Sequence, residues 1–291
     1  MPATPASPSR ARVPPTALVL MAISSVQFGS AIAKSLFDEI GAGGTVFIRV
    51  AIGAVILAAV WRPAVLGHPR ADLVLIVAFG LTLAAMNLAF YAALERIPLG
   101  VTVTFEFIGP LGVAVVGSRR PLDLLWVGLA AAGILLLSDF GGADLDALGV
   151  VFALTAAALW ATYILLTVRV GRAFPGGSGL ALAMVCAGVV LIPIGVVDGG
   201  GDLLTAEVLG LGTAVAVLST AIPYSLELEA LRTIPAGTFG VLMSLEPAVA
   251  ALAGFVVLGE DLVPREIVAI ALVVIASAGA ARGAELAARD A

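Results

Sequence analysis

An eight-residue element of the first half of this chain returns in the second with five of its residues unchanged. Ala93-Leu94-Glu95-Arg96-Ile97-Pro98-Leu99-Gly100 reappears 137 residues later as Ala230-Leu231-Arg232-Thr233-Ile234-Pro235-Ala236-Gly237. Each copy runs into an apolar segment with a proline ten residues after its glycine, Pro110 and Pro247. The chain therefore reads as two related halves, and almost all of both is apolar. Duplicated hydrophobic halves are how many secondary transporters build two pseudo-symmetric walls around a central site.

Composition agrees with that class. The 291 residues are 61% hydrophobic and only 12% charged. Soluble domains carry roughly half apolar and about a quarter charged residues. A helix needs about 20 apolar residues to cross the hydrocarbon of a bilayer. Reading the Gly, Pro and charge-bearing breaks as loops predicts ten spans: 16–37, 44–61, 72–94, 98–117, 122–138, 148–168, 178–197, 205–231, 235–258 and 264–283. The fifth is short and runs into Asp139-Phe140-Gly141-Gly142. No basic run suggests nucleic acid. The single cysteine, Cys186, excludes an intramolecular disulfide, and His68 falls in a polar break where it reads as solvated.

The cations orient the spans. With the N-terminus in the cytoplasm, the inner segments hold Arg10, Arg12, Arg62, Arg70, Arg119, Arg120, Arg169, Arg172, Arg232, Arg282 and Arg289. The outer loops hold only Arg96 and Arg265, and Lys34 and Arg49 lie within spans. Eleven against two is the positive-inside pattern, so both termini are expected in the cytoplasm. Five spans per half is an odd number, so the second half must enter the membrane inverted. The expected fold is an all-α polytopic membrane protein with ten transmembrane helices in two inverted five-helix repeats. Its parts are a disordered tail over 1–15, a first repeat over 16–138, a periplasmic linker over 139–147, a second repeat over 148–283 and a C-terminal tail over 284–291.

Charge at mid-membrane costs about 2.5–3.5 kcal/mol per group, so the polar residues inside spans are the best leads. Gln27, Ser30 and Lys34 make one stripe on the first span, and Arg49 lies near the outer end of the second. Asn87 and Tyr91 stand one turn apart on the third. Glu106 precedes Pro110 by one turn, and a proline without an N–H leaves the Glu106 carbonyl free. Trp160, Tyr163 and Thr167 form a stripe on the sixth span. Thr220, Pro223, Tyr224 and Glu227 share a face of the eighth, where Pro223 frees the Ser219 carbonyl. Glu246 directly precedes Pro247 on the ninth.

Each lead has a plainer reading. Trp160 and Tyr163 suit packing as well as ligand contact, and Arg49 suits an interface anchor. Glu227 and Glu229 sit near a cytoplasmic end, and Glu106, Glu246 and Lys34 could form structural ion pairs. The chain lacks a Walker A loop, His-Glu-x-x-His, Gly-x-Ser-x-Gly and a potassium-type filter, which argues against ATP-driven, enzymatic and channel functions. No cofactor or metal site is expected.

These segments resemble the drug/metabolite transporter superfamily and its EamA-type members. Within them the likeness is greatest to the bacterial threonine/homoserine exporters. It rests on Ala33-Lys34-Ser35-Leu36-Phe37, Met86-Asn87, Glu106-Phe107 with Gly109-Pro110-Leu111, Trp160-Ala161 with Tyr163-Ile164-Leu165, Pro223-Tyr224-Ser225-Leu226-Glu227, and Met243-Ser244 with Glu246-Pro247-Ala248. The resemblance implies export of small amino acids from the cytoplasm across a bacterial inner membrane, driven by protons. It carries candidate roles onto Lys34, Asn87, Tyr91, Glu106, Trp160, Tyr163, Tyr224, Glu227 and Glu246. Small-multidrug members use a glutamate on the first span; Lys34 there instead suits a ligand with its own carboxylate.

The expectation is then an antiporter of a small zwitterion and protons. Lys34 and Arg49 face the carboxylate, Glu106 or Glu246 faces the ammonium, and one of those two carboxyls carries the coupling proton. Asn87, Thr220 and the aromatics shape the pocket. The competing readings are a broader drug or metabolite exporter of the same fold, and a non-transporting membrane scaffold.

Overall fold

The computed structural model describes residues 13–65, 67–97, 99–118, 120–137, 146–253 and 264–289. Among these residues every regular element is helical. That follows from the composition, because a segment in hydrocarbon must satisfy its own backbone hydrogen bonds. Six helical stretches of 18–27 residues are long and apolar enough to cross a membrane, and four shorter apolar helices accompany them. The protein is a multi-pass membrane protein.

The first element, α1 (Pro15–Trp61), is two helical arms joined at a single non-helical residue, Gly41, with φ 66° and ψ 177°. Left-handed φ is open to glycine because it has no Cβ. Twelve residues before and after it, Gly29 and Gly53 abut the consecutive residues Ser219 and Thr220, so the two arms fold back as a hairpin. The expected loop over 38–43 therefore contracts to one residue, and Asp38 and Glu39 end the first arm, exposed. The second arm runs along α7 (Ser178–Gly199), with Phe47 seated against Gly195.

Between these lie α2 (Arg70–Leu94), α3 (Leu99–Glu106), α4 (Ile108–Gly117), α5 (Pro121–Leu137) and α6 (Ala147–Ala173). After α7 follow a short 3-10 turn, α8 (Ala206–Ala216), a π-turn (Val217–Ala221), α9 (Ile222–Leu231), α10 (Ala236–Met243), α11 (Leu245–Ala253) and α12 (Pro264–Arg289). Helix α2 packs between α6 and α7, α4 packs on α6 and α10, and α5 packs on α12. The expected linker lies mostly outside the described residues. Its end, Asp146, caps α6 by accepting from the Leu148 amide at 2.7 Å. Helix α12 continues to Arg289, into the expected C-terminal tail.

The duplicated element folds alike in both places. The Arg96 and Thr233 amides each donate to the carbonyl three residues back at 2.9 Å, and the Ile97 and Ile234 amides each donate four residues back at 3.0 Å. The prolines downstream act alike too. The fourth expected span divides at Phe107 (φ −64°, ψ −14°) and the ninth at Ser244 (φ −62°, ψ −12°), each three residues before its proline. A proline ring neither donates to the carbonyl four residues back nor leaves it room, so both helices break at the same register.

Candidate functional site

Most of the polar leads converge in the interior. Arg49, on the second arm of α1, donates through Nη2 to the Asn87 Oδ1 of α2. Asn87 is held by its own amide, which donates to the Leu83 carbonyl at 2.7 Å. The guanidinium carbon lies 5.8 Å from the Tyr91 ring centroid, a cation over an aromatic face. Tyr224 of α9 adjoins both Arg49 and Asn87. Asn87 and Tyr224 are 137 residues apart, the spacing of the repeated element, so equivalent positions of the two halves meet beside the same cation.

An aromatic wall stands behind this cluster. The Tyr163 ring of α6 stacks on Phe79 at 5.5 Å and tilts against Tyr224 at 5.5 Å. Its hydroxyl donates to Glu227 Oε2 at 2.9 Å. Trp160, one turn earlier on α6, packs against Phe107, the residue at the break between α3 and α4, with centroids 5.2 Å apart. Glu106, beside that break, is within electrostatic range of both Arg49 and Glu246, and Glu246 is in range of Glu227. Among the described residues the ion pairs lie elsewhere, Arg96–Asp146 at 3.5 Å and Arg232–Glu229 at 3.0 Å. Arg49 and the central carboxylates are thus neighbours without being locked together.

Lys34 lies on the first arm of α1, and its side chain falls outside the described residues. Thr220 belongs to the π-turn of the eighth span, and Thr220, Pro223, Tyr224 and Glu227 are all buried. There the Ile222 amide bonds the Val217 carbonyl, five residues back. The Leu218 carbonyl is left over and accepts instead from Ser25 Oγ of α1 at 2.6 Å. Turns of this kind recur at functional sites. The Ser219 and Thr220 hydroxyls and Arg49 Nε are buried without a partner. An unpaired buried polar group costs about 1–3 kcal/mol. Sequence reasoning passed over Phe79, gave Phe107 no role, and named Ser219 for its carbonyl and not its hydroxyl; the signal there was Pro223, four residues on.

The ends of α6 locate the two copies of the repeated element. The first copy sits at the N-terminal end, where Ile97 and Arg96 pack on Gly149 and the Arg96 guanidinium lies 5.8 Å from the Phe152 ring. The second sits at the C-terminal end, where Arg232 donates to the Gly171 carbonyl at 3.2 Å and the Phe174 carbonyl at 3.0 Å. Twenty-two helical residues separate Gly149 from Gly171, about 33 Å, close to the thickness of bilayer hydrocarbon. A cavity of about 960 Å³ opens beside the second copy, lined by Leu165, Arg169, Arg172, Arg232 and Leu242 among others. Tyr163, Glu227 and Glu246 are not among the residues that line it.

Comparison with known proteins decides the family. Residues 147–282 match the model of the EamA-like transporter family. The chain is 43% identical over 267 residues to the threonine/homoserine exporter RhtA of Salmonella typhimurium (strain LT2), covering 91% of this chain and 90% of that one. This protein belongs to the EamA-like transporter family. The RhtA exporter of Escherichia coli (strain K12) is 42% identical over the same coverage. The uncharacterized transporter YwfM of Bacillus subtilis (strain 168) is 30% identical over 54% of each chain. A solved crystal structure superposes on this EamA-like chain with a TM-score of 0.77 at 19% identity, over 93% of this chain and 97% of that one, a likeness of fold.

Proposed function

We propose that this EamA-like protein is a secondary transporter that exports small amino acids of the threonine/homoserine class from the cytoplasm in exchange for protons. The observation that carries the reading is the interior cluster itself. A cation, Arg49, and a second carboxylate, Glu246, lie within electrostatic range of Glu106 among Asn87, Tyr91, Trp160, Tyr163 and Tyr224. Such a set of charges complements a small zwitterion. Arg49, with Lys34 on the neighbouring arm, takes the carboxylate. Glu106 or Glu246 takes the ammonium, and that same carboxyl binds the proton when the ammonium leaves. Competition between proton and ammonium for one carboxyl makes the exchange obligatory. Two relatives that share over two-fifths of the sequence carry names of this substrate class.

Alternating access follows from two inverted five-helix halves, ten spans in all, in the bacterial inner membrane with both termini in the cytoplasm. Supporting this, the two copies of the repeated element sit at opposite ends of α6, about a bilayer apart. The cavity beside Arg169 and Arg172 is then the cytoplasmic vestibule. If each half adopts the other's conformation, the opening moves to the far side.

The test is counterflow of labelled threonine or homoserine in proteoliposomes, with and without an imposed pH gradient. Uptake enhanced by the gradient and abolished in Glu106→Gln is the expected result. Uptake of uncharged drugs but of no amino acid, by folded protein, would transfer the reading to a broader metabolite exporter.

A further inference from the structure

Many helical serine and threonine hydroxyls in this protein donate to the carbonyl four residues back. Thr82, Thr155, Thr162, Thr167, Thr213 and Ser225 all do so at 2.6–2.8 Å. Ser219 and Thr220 lie between Thr213 and Ser225 on the same segment, and neither has a partner. Their residues are only 3% and 0% exposed. The π-turn explains the exception. Its amides reach one residue further back, which widens the turn and carries the carbonyl row out of line with the hydroxyls above it.

Buried hydroxyls without partners are rare in proteins, and rarer where no water is at hand. A third such atom, Arg49 Nε, belongs to the same helix contact. Gly53, one turn after Arg49, abuts Thr220, and Tyr224, one turn after Thr220, adjoins Arg49. Among the described residues, these three are all the buried side-chain nitrogen and oxygen atoms that lack a partner. Their concentration at one contact beside the candidate site points to an occupant with its own hydrogen-bonding groups.

Resting on the amino-acid export reading, we propose that the Ser219 and Thr220 hydroxyls are a subsite that selects substrates with a hydroxylated side chain. Each protein hydroxyl can donate or accept, so a substrate hydroxyl can donate to one and accept from the other. Arg49 Nε remains for the carboxylate of the same molecule. A methyl group in place of the substrate hydroxyl is of similar size but leaves both protein hydroxyls unpaired, which is how polar sites reject an isostere that lacks the polar group. Threonine and homoserine, in the names of the relatives, both carry such a hydroxyl. Gly29 lies against the Ser219 hydroxyl and Gly53 against the Thr220 methyl in this conformation, so the substrate side chain is read before the α1 hairpin closes on the turn.

The experiment is counterflow by the full chain in proteoliposomes with labelled threonine, homoserine, valine and norvaline. Valine and norvaline replace the hydroxyls of threonine and homoserine by methyl groups. Wild-type protein is expected to favour each hydroxylated substrate at least tenfold at limiting concentration. Thr220→Val and Ser219→Ala are each expected to cut the threonine-over-valine ratio at least tenfold by losing threonine transport, and Thr220→Ser to keep it. Equal wild-type rates for threonine and valine overturn the subsite, need no variant, and leave amino-acid export standing. A wild-type preference that survives in both folded variants also overturns it and assigns the hydroxyls to buried water. Should a variant not fold, protection of wild-type protein from thermal unfolding by threonine against valine reads the same preference. Folded wild-type protein that moves none of the four amino acids overturns the export reading and the subsite with it.

Discussion

The Tyr163 hydroxyl donates to Glu227 Oε2 at 2.9 Å, joining α6 to α9 in the interior of the bundle. Both residues are nearly inaccessible, 1% and 4% exposed, so this hydroxyl stands where water would otherwise solvate the carboxyl group. Tyr163→Phe removes the donor and is expected to destabilise the fold by about 1–3 kcal/mol, read as a lower unfolding midpoint in detergent. Glu227→Gln keeps an acceptor for the hydroxyl, so the fold should persist while transport falls. A glutamine variant that transports normally would make the pair purely structural.

Arg49 bonds Asn87 and covers the Tyr91 ring at once, a geometry that a planar guanidinium satisfies and a lysine ammonium does not. Arg49→Lys should therefore resemble Arg49→Ala, each raising the half-saturating substrate concentration at least tenfold. Wild-type kinetics in the lysine variant would reduce the role of Arg49 to its charge alone.

Two helix crossings depend on missing β-carbons. A Cβ on Gly109 would strike the Ala157 carbonyl, and one on Gly240 the Pro110 carbonyl, both backbone groups that cannot turn aside. Gly109→Ala and Gly240→Ala are each expected to cost about 1–3 kcal/mol. Gly112→Ala, on the same helix as Gly109 but facing open space, is the control and should leave the midpoint unchanged or raised.

At the α6 N-terminus, the Leu148 amide, with the Gly149 amide and Arg96, holds the Asp146 carboxyl below the usual carboxylate range. A depressed folded value means that its contribution is fully present above the unfolded pKa, near 4, and is lost as pH falls through the folded value. Between pH 5 and pH 3, the unfolding midpoint of wild-type protein should drop further than that of Asp146→Ala. Equal drops would show that the cap contributes nothing to acid sensitivity.

Topology can be read with single cysteines in a Cys186→Ser background. Val65 and Leu204 are 71% and 79% exposed at opposite ends of the bundle. Leu204→Cys should react with a membrane-impermeant maleimide in intact cells, and Val65→Cys only after permeabilisation. The opposite pattern would reverse the orientation taken from the arginine bias.

The sequence by itself determined that the chain crosses a membrane many times and where most helices run, because hydrocarbon demands long apolar segments and rewards little else. It also marked Pro110 and Pro247 as points without an N–H, although both spans read as continuous; the structure divides them at Phe107 and Ser244. Arg49, Asn87, Tyr91 and Glu106 stood out as polar groups in apolar runs, and most of that set does gather in the interior. What only the tertiary structure decided is which of them touch, and what the turn at Thr220 looks like. Pro223 marked a freed carbonyl, expected at Ser219 in α-helical register, but the π-turn shifts that register by one residue. There the Ile222 amide reaches Val217, and Ser25, 193 residues away, covers the Leu218 carbonyl left behind. Hydrophobic pattern records how much of each residue meets lipid. It does not record which carbonyl an amide chooses, because that depends on a hydroxyl delivered by a distant helix.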